Sequence, residues 1–378
     1  MLNSPSTGAA VLAAALALPG MVPAANAESA PESGQIGFKY LSYRDSQPGL
    51  KRVSVDAPSV SWLMPVAGSW SLAGSYTLDS VSGASPRWHS SISSASRMSD
   101  FRRAADLRVT RYLARSSFSI GAAQSTEHDY RSTSYSLQAT LSSDDNNTTW
   151  AVGIGRALDR IDPVNALVVD ERKHTTDLMV GVTQVLTPRD IVQANFTVAR
   201  GRGYYSDPYK QVDQRPRERD QAALMLRWNH HFEGLGASLR TSYRFYDDSF
   251  EVNAHTFSAE WVQPLPRGWT IAPSIRYHTQ SAAKFYYDPV YEPLLGAPFP
   301  PGYLAHPNGF YSADHRLSAF GALTFGIRMS KEIIKNWSAD VRLDLYQQRA
   351  DWRVGGKASP GLAPLEARLM QVGVTHKF

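Results

Sequence analysis

Apolar and polar residues alternate along much of the chain with a period of two. In the segment GSWSLAGSYTLDS, residues 68–80, Trp70, Leu72 and Tyr76 fall on one parity, while serine, threonine and aspartate fall on the other. The same alternation recurs in residues 134–142, 190–201, 220–230, 269–280 and 336–348. A period of two is typical of β-strands with one apolar and one polar face. Since no segment has a persuasive period of 3.6, the pattern predicts an all-β protein.

The connections between the predicted strands also alternate, in length. Short turns are predicted near residues 66–68, 114–116, 143–147, 187–190, 233–236, 264–268 and 330–336. The intervening connections are mostly longer: 79–103, 159–174, 201–219, 281–312 and 349–364, with tight ones at 45–50, 126–130 and 247–250. The count gives about 16 strands, with 14 as the alternative. Short periplasmic turns opposite longer extracellular loops are typical of outer-membrane barrels.

The tryptophans indicate what the apolar face contacts. Seven of nine lie where a predicted strand meets a short turn, and all seven belong to the apolar set: Trp62, Trp70, Trp150, Trp228, Trp261, Trp269 and Trp337. An indole ring favours hydrocarbon and its N–H favours head groups, so this arrangement predicts an interfacial girdle. In a soluble sandwich the tryptophans would be spread through the core. We therefore expect a closed antiparallel transmembrane β-barrel with lipid outside and a polar lumen.

The end of the chain fits the same architecture. Four residues alternate back from the C-terminus and have the form of a barrel-assembly signal: Met370, Val372, Val374 and Phe378. His376 occupies a position where an aromatic residue is more usual. Because an open sheet edge in hydrocarbon leaves backbone groups unpaired, the first strand (residues 35–44) should pair with the last (residues 366–378).

The N-terminus predicts export. Residues 9–18 (AAVLAAALAL) form an apolar run too short to span a membrane, and Ala25, Asn26 and Ala27 supply a small-x-small cleavage pattern. No Lys or Arg precedes the run, which departs from the usual signal. We expect a signal peptide over residues 1–27, a barrel over 28–378, and a location in the outer membrane of a Gram-negative cell.

The charge pattern and the histidines exclude some classes of function. The net charge of +5 is spread over the chain, and basic residues are interleaved with acidic ones, as in RPRERD at residues 215–220. No basic arm or helix is present, so we expect no nucleic-acid partner. The ten histidines form no HExxH motif, so the sequence predicts no metal site and no cofactor.

Several segments in combination resemble one known family. They are DSVSGASP (79–86), GRGYYSDPYK (201–210), YRFYDDSFEVNAHT (243–256), IRYHTQSAAKFYY (275–287) and YSADHRLSAFGALTFG (311–326). They resemble the outer-membrane β-barrel family known as domain of unknown function 3570. The resemblance implies a barrel of this size and no established activity. Members are often encoded near thioredoxin-like and flavin-transferase proteins, which leaves a periplasmic redox partner open.

The alternation predicts a charged lumen in the C-terminal half. The residues expected to point inward are Arg227, Arg240, Arg244, Glu260, Arg276, Arg316, Arg328, Asp340, Arg342 and Asp344. One interpretation is a basic wall whose positive potential favours anionic solutes. The other is a set of cross-strand pairs between arginine and carboxylate that keep the wall rigid.

The predicted function is a pore or solute-specific channel with a basic lumen. The proline-rich connection 281–312 can fold inward as a constriction or form an outer surface for ligands. The alternative is a non-transport barrel, either a scaffold for a periplasmic partner or a hydrolase at the rim. A hydrolase would use Asp247, Asp248, Ser249 and His255, although Asp and Ser are also expected in a tight turn. The expected partners are outer-membrane lipid and lipopolysaccharide, the barrel-assembly machinery, and small solutes, anionic ones in particular.

Overall fold

The computed structural model describes residues 29–83, 98–210, 212–288, 291–292, 297–300 and 302–378. The predicted signal peptide lies outside these residues. The strands are β1 (Gln35–Gln47), β2 (Leu50–Val66), β3 (Trp70–Gly83), β4 (Met98–Tyr112), β5 (Ser116–Thr126), β6 (Tyr130–Ser142), β7 (Thr148–Ile161), β8 (Glu171–Thr187), β9 (Asp190–Gly203), β10 (Asp213–Gln214), β11 (Glu218–Phe232), β12 (Ala237–Asp248), β13 (Asn253–Leu265), β14 (Trp269–Gln280), β15 (Tyr291–Glu292), β16 (Ala297–Pro298), β17 (Tyr311–Ser312), β18 (Phe320–Ile334), β19 (Trp337–Arg349) and β20 (Leu365–Lys377).

Sixteen of these strands form one closed antiparallel barrel, which confirms the predicted fold. The order around the barrel is β1 to β9, then β11 to β14, then β18 to β20. The barrel closes because β1 pairs with β20 in the register Gln35 to Lys377. Beyond this pair, Gly34 and Phe378 exchange two backbone hydrogen bonds of 2.8 and 2.9 Å. In the described part of the chain, no helix is long and apolar enough to cross a membrane.

The two faces of the wall differ as the alternation predicts. On β1, Leu41 is 2% exposed, whereas Phe38 on the opposite parity is 56% exposed. The parity of Leu41 corresponds to the concave face of the barrel. On that face, Arg328 on β18 reaches Glu260 on β13 across the intervening strand β14. Side chains two strands apart converge only on the inside of a closed sheet. The apolar residues that remain exposed therefore cover the outside of the barrel.

The connections differ in length between the two ends of the barrel. At one end, seven short turns join the strands at residues 67–69, 113–115, 143–147, 188–189, 233–236, 266–268 and 335–336. Several of these turns require a left-handed residue: Gly68 has φ of 69° and Asn336 has φ of 68°. At the other end, longer connections include residues 204–217, 281–319 and 350–364, and most of the predicted connection 79–103 lies outside the described residues. The described residues of these three connections fold back onto the barrel and onto one another.

Candidate functional site

A wall of arginines faces the lumen along the C-terminal half of the barrel. Cross-strand pairing puts nine of the ten predicted lumen residues on the concave parity: Arg227 (β11), Arg240 and Arg244 (β12), Glu260 (β13), Arg276 (β14), Arg328 (β18), and Asp340, Arg342 and Asp344 (β19). We call these nine residues the basic wall. Six arginines thus face three carboxylates, so the basic wall carries an excess of positive charge.

Arg316 lies on no strand, contrary to the alternation, and its role as a lumen charge stays a prediction. It belongs to a 3-10 turn, His315–Leu317, and β18 begins only at Phe320. The turn forms because the Asp314 side chain accepts a hydrogen bond of 3.0 Å from the backbone N–H of Arg316. An aspartate that bonds the backbone two residues onward favours a turn over a strand. The alternation therefore predicts a strand at Arg316, where the structure has a turn.

Part of the basic wall is neutralised by ion pairs. Glu260 pairs with both Arg240 (3.3 Å) and Arg328 (3.4 Å), and Arg342 pairs with Asp344 (2.9 Å). Among the described residues, no carboxylate lies within ion-pair distance of the other three arginines, Arg227, Arg244 and Arg276. Three arginines of the basic wall therefore have carboxylate partners and three do not, and a preference for anionic solutes stays a prediction.

Part of the concave face is not covered by packed side chains. Several charged residues on the concave face are exposed, including Asp106 and Arg108 on β4 as well as Arg227 and Arg276. In a filled barrel these side chains would be buried against one another. A barrel of 16 strands is wide enough to leave an aqueous channel. These side chains are therefore not covered by other parts of the described chain, and an open channel stays a prediction.

The N-terminal half of the wall has a different charge balance. Arg102 pairs with Asp79, and Lys173 pairs with Asp159 at 3.1 Å. Asp177 on β8 also faces inward, opposite Gly155. Carboxylates therefore match or exceed basic groups on this side, and the surplus of positive charge lies on one side of the lumen.

The long connections cover the mouth of the barrel. We call residues 204–217 and 281–319, together with the turn 249–252, the cap. Its two long segments form a small antiparallel sheet, in which Asp213 pairs with Ser312. Tyr209 of the cap donates a 2.6 Å hydrogen bond to Asp129 between β5 and β6. On the opposite side, the Gly361 N–H between β19 and β20 donates to Asp288 at 3.2 Å. The contacts thus bridge the opening.

A buried ion cluster joins the two long segments of the cap. The Arg215 guanidinium donates to Asp314 at 2.8 Å, and Asp314 also pairs with Arg316. Burial alone would raise the pKa of Asp314, but the charges of Arg316, Lys210 and Arg215 outweigh it, so its pKa lies well below the ordinary value. The pKa of Asp207 is lowered in the same way, against the effect of its burial, mainly by Lys210 and Arg316. The cluster is therefore fully charged at neutral pH.

An apolar cluster holds the inner side of the cap. Phe250, which is 1% exposed, packs edge to face against Phe285 with ring centroids 4.9 Å apart. Val252, Ala283 and Leu317 complete the buried cluster. These residues come from the turn 249–252 and from both ends of the connection 281–319. Their burial fixes the cap against strands β12 to β14.

A cavity of about 180 Å³ lies between the cap and the barrel wall. Its lining consists of Arg219, Arg244, Tyr246, Val252, Ala254, His278, Gln280, Arg316 and Leu317. Three of these side chains are guanidinium groups, and no carboxylate lines the cavity. The cavity therefore combines positive charge with an apolar and aromatic surface.

The predicted girdle tryptophans all lie on the outward parity. Trp70, Trp269 and Trp337 begin their strands, and Trp62, Trp150, Trp228 and Trp261 follow or precede short turns. Trp150 is 55% exposed. The outward positions leave the rings available to lipid, and lipid contact stays a prediction.

The alternating C-terminal residues Met370, Val372 and Val374 also point outward on β20, and Phe378 follows its last residue. The ring of His376 stacks against Trp337 at 4.4 Å and lies 5.9 Å from Phe378. His376 thus takes the packing role of an aromatic residue. Recognition by the assembly machinery stays a prediction.

The structure separates His255 from Asp248, although Asp247 lies on the same outward parity as His255. His255 lies on the outward parity of β13 and hydrogen-bonds Tyr243 at 2.7 Å. Asp248 lies on the inward parity, where it pairs with Arg219 and accepts the backbone N–H groups of the turn. An acid and a base on opposite faces of one sheet cannot act on the same substrate.

Comparison with known proteins shows the family. The model of the family "Protein of unknown function (DUF3570)" matches residues 8–100 and 93–369. The chain belongs to this family. No curated protein matches it significantly.

Two solved structures show the same fold at low sequence identity. A bacterial polysaccharide outer membrane secretin is 9% identical with a TM-score of 0.52, and the match covers 91% of this chain and 98% of that one. CdiB from Acinetobacter baumannii is 10% identical with a TM-score of 0.50, and the match covers 89% and 60%. The DUF3570 protein therefore has the fold of outer-membrane β-barrels.

Some residues of the site could not be found from the sequence pattern. Arg219 was predicted to end the connection 201–219, but it lies in β11 and lines the cavity. Asp207, Arg215 and Asp314 form the cap cluster, although up to 107 positions separate them in the sequence. The only signal was the presence of two short charged segments, SDPYK and SADHR, within long connections. Such segments do not reveal which of them pair.

Proposed function

We propose that this DUF3570 protein resides in the outer membrane and forms a water-filled pore that favours small anionic solutes. The observation that carries the proposal is the exposure of charged side chains, such as Arg227 and Arg276, on the concave face. Charged groups remain exposed inside a barrel when water or solute can reach them. The surplus of arginine along one side would then raise the local concentration of anions.

The cap adds a barrier to this pore. It lies across the mouth at the long-connection end, which corresponds to the extracellular side in outer-membrane barrels. Solutes would pass beside or beneath it, near the cavity lined by Arg219, Arg244 and Arg316. A covered mouth favours a selective channel over a wide general pore.

The direct test is the reversal potential of the purified protein in a planar bilayer with a salt gradient. We expect anion preference, which Arg276→Glu should reduce or reverse. Arg131→Glu is the matched control, since Arg131 is exposed on the outward parity and carries the same charge change. Cation preference in the unaltered protein, or absence of conductance, would contradict the proposal. Liposome swelling with anionic, neutral and cationic solutes of equal size gives an independent measure.

A further inference from the structure

The cavity beneath the cap has an unusual balance of charge. Arg219 and Arg316 each have a carboxylate partner outside the cavity, Asp248 and Asp314. Arg244 has none: in the described part of the chain its contact is the face of the Tyr246 ring, with the guanidinium carbon 5.0 Å from the centroid. A guanidinium presents five N–H donors in a planar fork, and no described residue accepts a hydrogen bond from those of Arg244.

A second positive charge strengthens the same field. Arg276 lies on the inward parity of β14, and its charge repels that of Arg244 across strand β13. Two unpaired guanidiniums held near one another are destabilising unless an anion binds between or beside them. His278 cannot supply that anion, because an imidazole is neutral or positively charged, and its ring nitrogens already bond Thr256 and Gln280.

The rest of the lining indicates the kind of anion. Val252, Ala254 and Leu317 supply apolar surface, and Tyr246 supplies an aromatic face. The volume of about 180 Å³ is well above the roughly 10–15 Å³ that one water requires. Guanidinium groups bind carboxylates in a bidentate manner, and apolar walls favour a hydrocarbon body over a bare inorganic ion.

We propose that this cavity is a binding site for a small organic carboxylate, whose carboxylate group is held by Arg244 and whose apolar body contacts Val252 and Leu317. The inference deepens the proposed pore and rests on it, since it names the solute class that the lumen would select. The cavity lies between the cap and the barrel wall, so a bound solute would occupy the path from the mouth to the lumen.

The test is isothermal titration calorimetry of the detergent-solubilised full protein with benzoate, benzamide and inorganic phosphate. We expect saturable binding of one benzoate, and binding at least about tenfold weaker for neutral benzamide and for phosphate. Arg244→Gln should weaken benzoate binding about tenfold or more, because a charge-assisted bidentate contact is lost. Arg131→Gln is the matched control, since Arg131 is exposed on the outward parity and loses the same charge, and it should leave benzoate binding unchanged.

Each outcome decides the inference. Absence of saturable benzoate binding, or equal weakening by Arg244→Gln and Arg131→Gln, would overturn it. Phosphate bound as tightly as benzoate would overturn the assignment to an organic carboxylate. If Arg244→Gln does not reach the folded, heat-modifiable form, Arg244→Lys keeps the charge without the fork, and several-fold weaker binding is then expected; unchanged binding would count against Arg244.

The calorimetric result is independent of the pore. A protein that conducts but binds no benzoate keeps the proposed function and loses this site. A protein that binds benzoate through Arg244 but does not conduct keeps the site and loses the pore.

Discussion

The buried carboxylate Asp314 offers the sharpest test of whether the cap restricts the pore. Its side chain is fully buried, with 0% exposed, and it pairs with Arg215 from one cap segment and Arg316 from its own. Asp314→Asn keeps the shape of the side chain and removes the charge. The Arg215 and Arg316 guanidiniums would then stay buried, with Asp213 and Asp207 as their remaining acid partners.

The expected cost to the closed cap follows from that geometry. Removing one partner of a buried ion pair costs about 3–5 kcal/mol. Because the remaining acids compensate in part, we take the lower value, about 3 kcal/mol. Since each 1.4 kcal/mol is about tenfold in an equilibrium constant, the ratio of closed to open cap should fall roughly a hundredfold. The barrel should stay folded, because no barrel strand contains Asp314.

Single-channel recording in a planar bilayer measures this change. We expect Asp314→Asn to spend more time in a state of higher conductance than the unaltered protein does. Asp351→Asn is the matched control, because Asp351 is exposed on the connection 350–364 and makes no ion pair among the described residues. If Asp314→Asn folds and its conductance equals that of Asp351→Asn, the reasoning that the cap restricts the pore is refuted.

Three further predictions concern the cap and the wall. Because the pKa values of Asp207 and Asp314 are lowered, their ion pairs stabilise the cap above the ordinary carboxyl pKa of 3.8 and are lost as the pH falls through the lower folded values. Conductance should thus be constant from about pH 8 to 5 and rise below about pH 3; a rise already near neutral pH would argue against this cluster. Phe250→Ala should destabilise the cap by about 3–5 kcal/mol, and protease cleavage within the cap should become faster while the barrel stays intact. A Cβ at Gly74 would lie 2.5 Å from the Trp62 ring, so Gly74→Val should reduce the yield of heat-modifiable barrel, whereas Gly234→Val, with open space around it, should not.

The barrel itself could be predicted because its determinants are local. A strand shows its faces through the alternation of neighbouring residues, and the lengths of the connections show which end of the barrel they lie on. The predicted strand over residues 190–201 is observed as Asp190–Gly203, and that over 336–348 as Trp337–Arg349. Closure followed from the cost of an unpaired edge in hydrocarbon, and β1 does pair with β20.

The errors and omissions have a common physical cause. Arg316 was assigned to a strand because the alternation of apolar and polar residues can be counted through any segment. In the structure, the Asp314 side chain instead stabilises a turn at this place. His255 and Asp248 lie close together in one predicted hairpin. The observed register nevertheless puts them on opposite faces of the sheet, because His255 pairs with Phe245. Parity describes the strands and says nothing about the connections between them.

The sequence by itself determined the closed barrel, the faces of its strands and the inward direction of the arginines on them, because these depend on residues one or two positions apart. Only the tertiary structure decided that connections 204–217 and 281–319 form a cap, that Asp314 joins them through Arg215, and that Arg244 has no carboxylate partner among the described residues. Those contacts join residues far apart in the chain, and which groups meet depends on the way the connections fold back over the mouth. The charge that remains unpaired after all such contacts are made is a property of the assembled barrel.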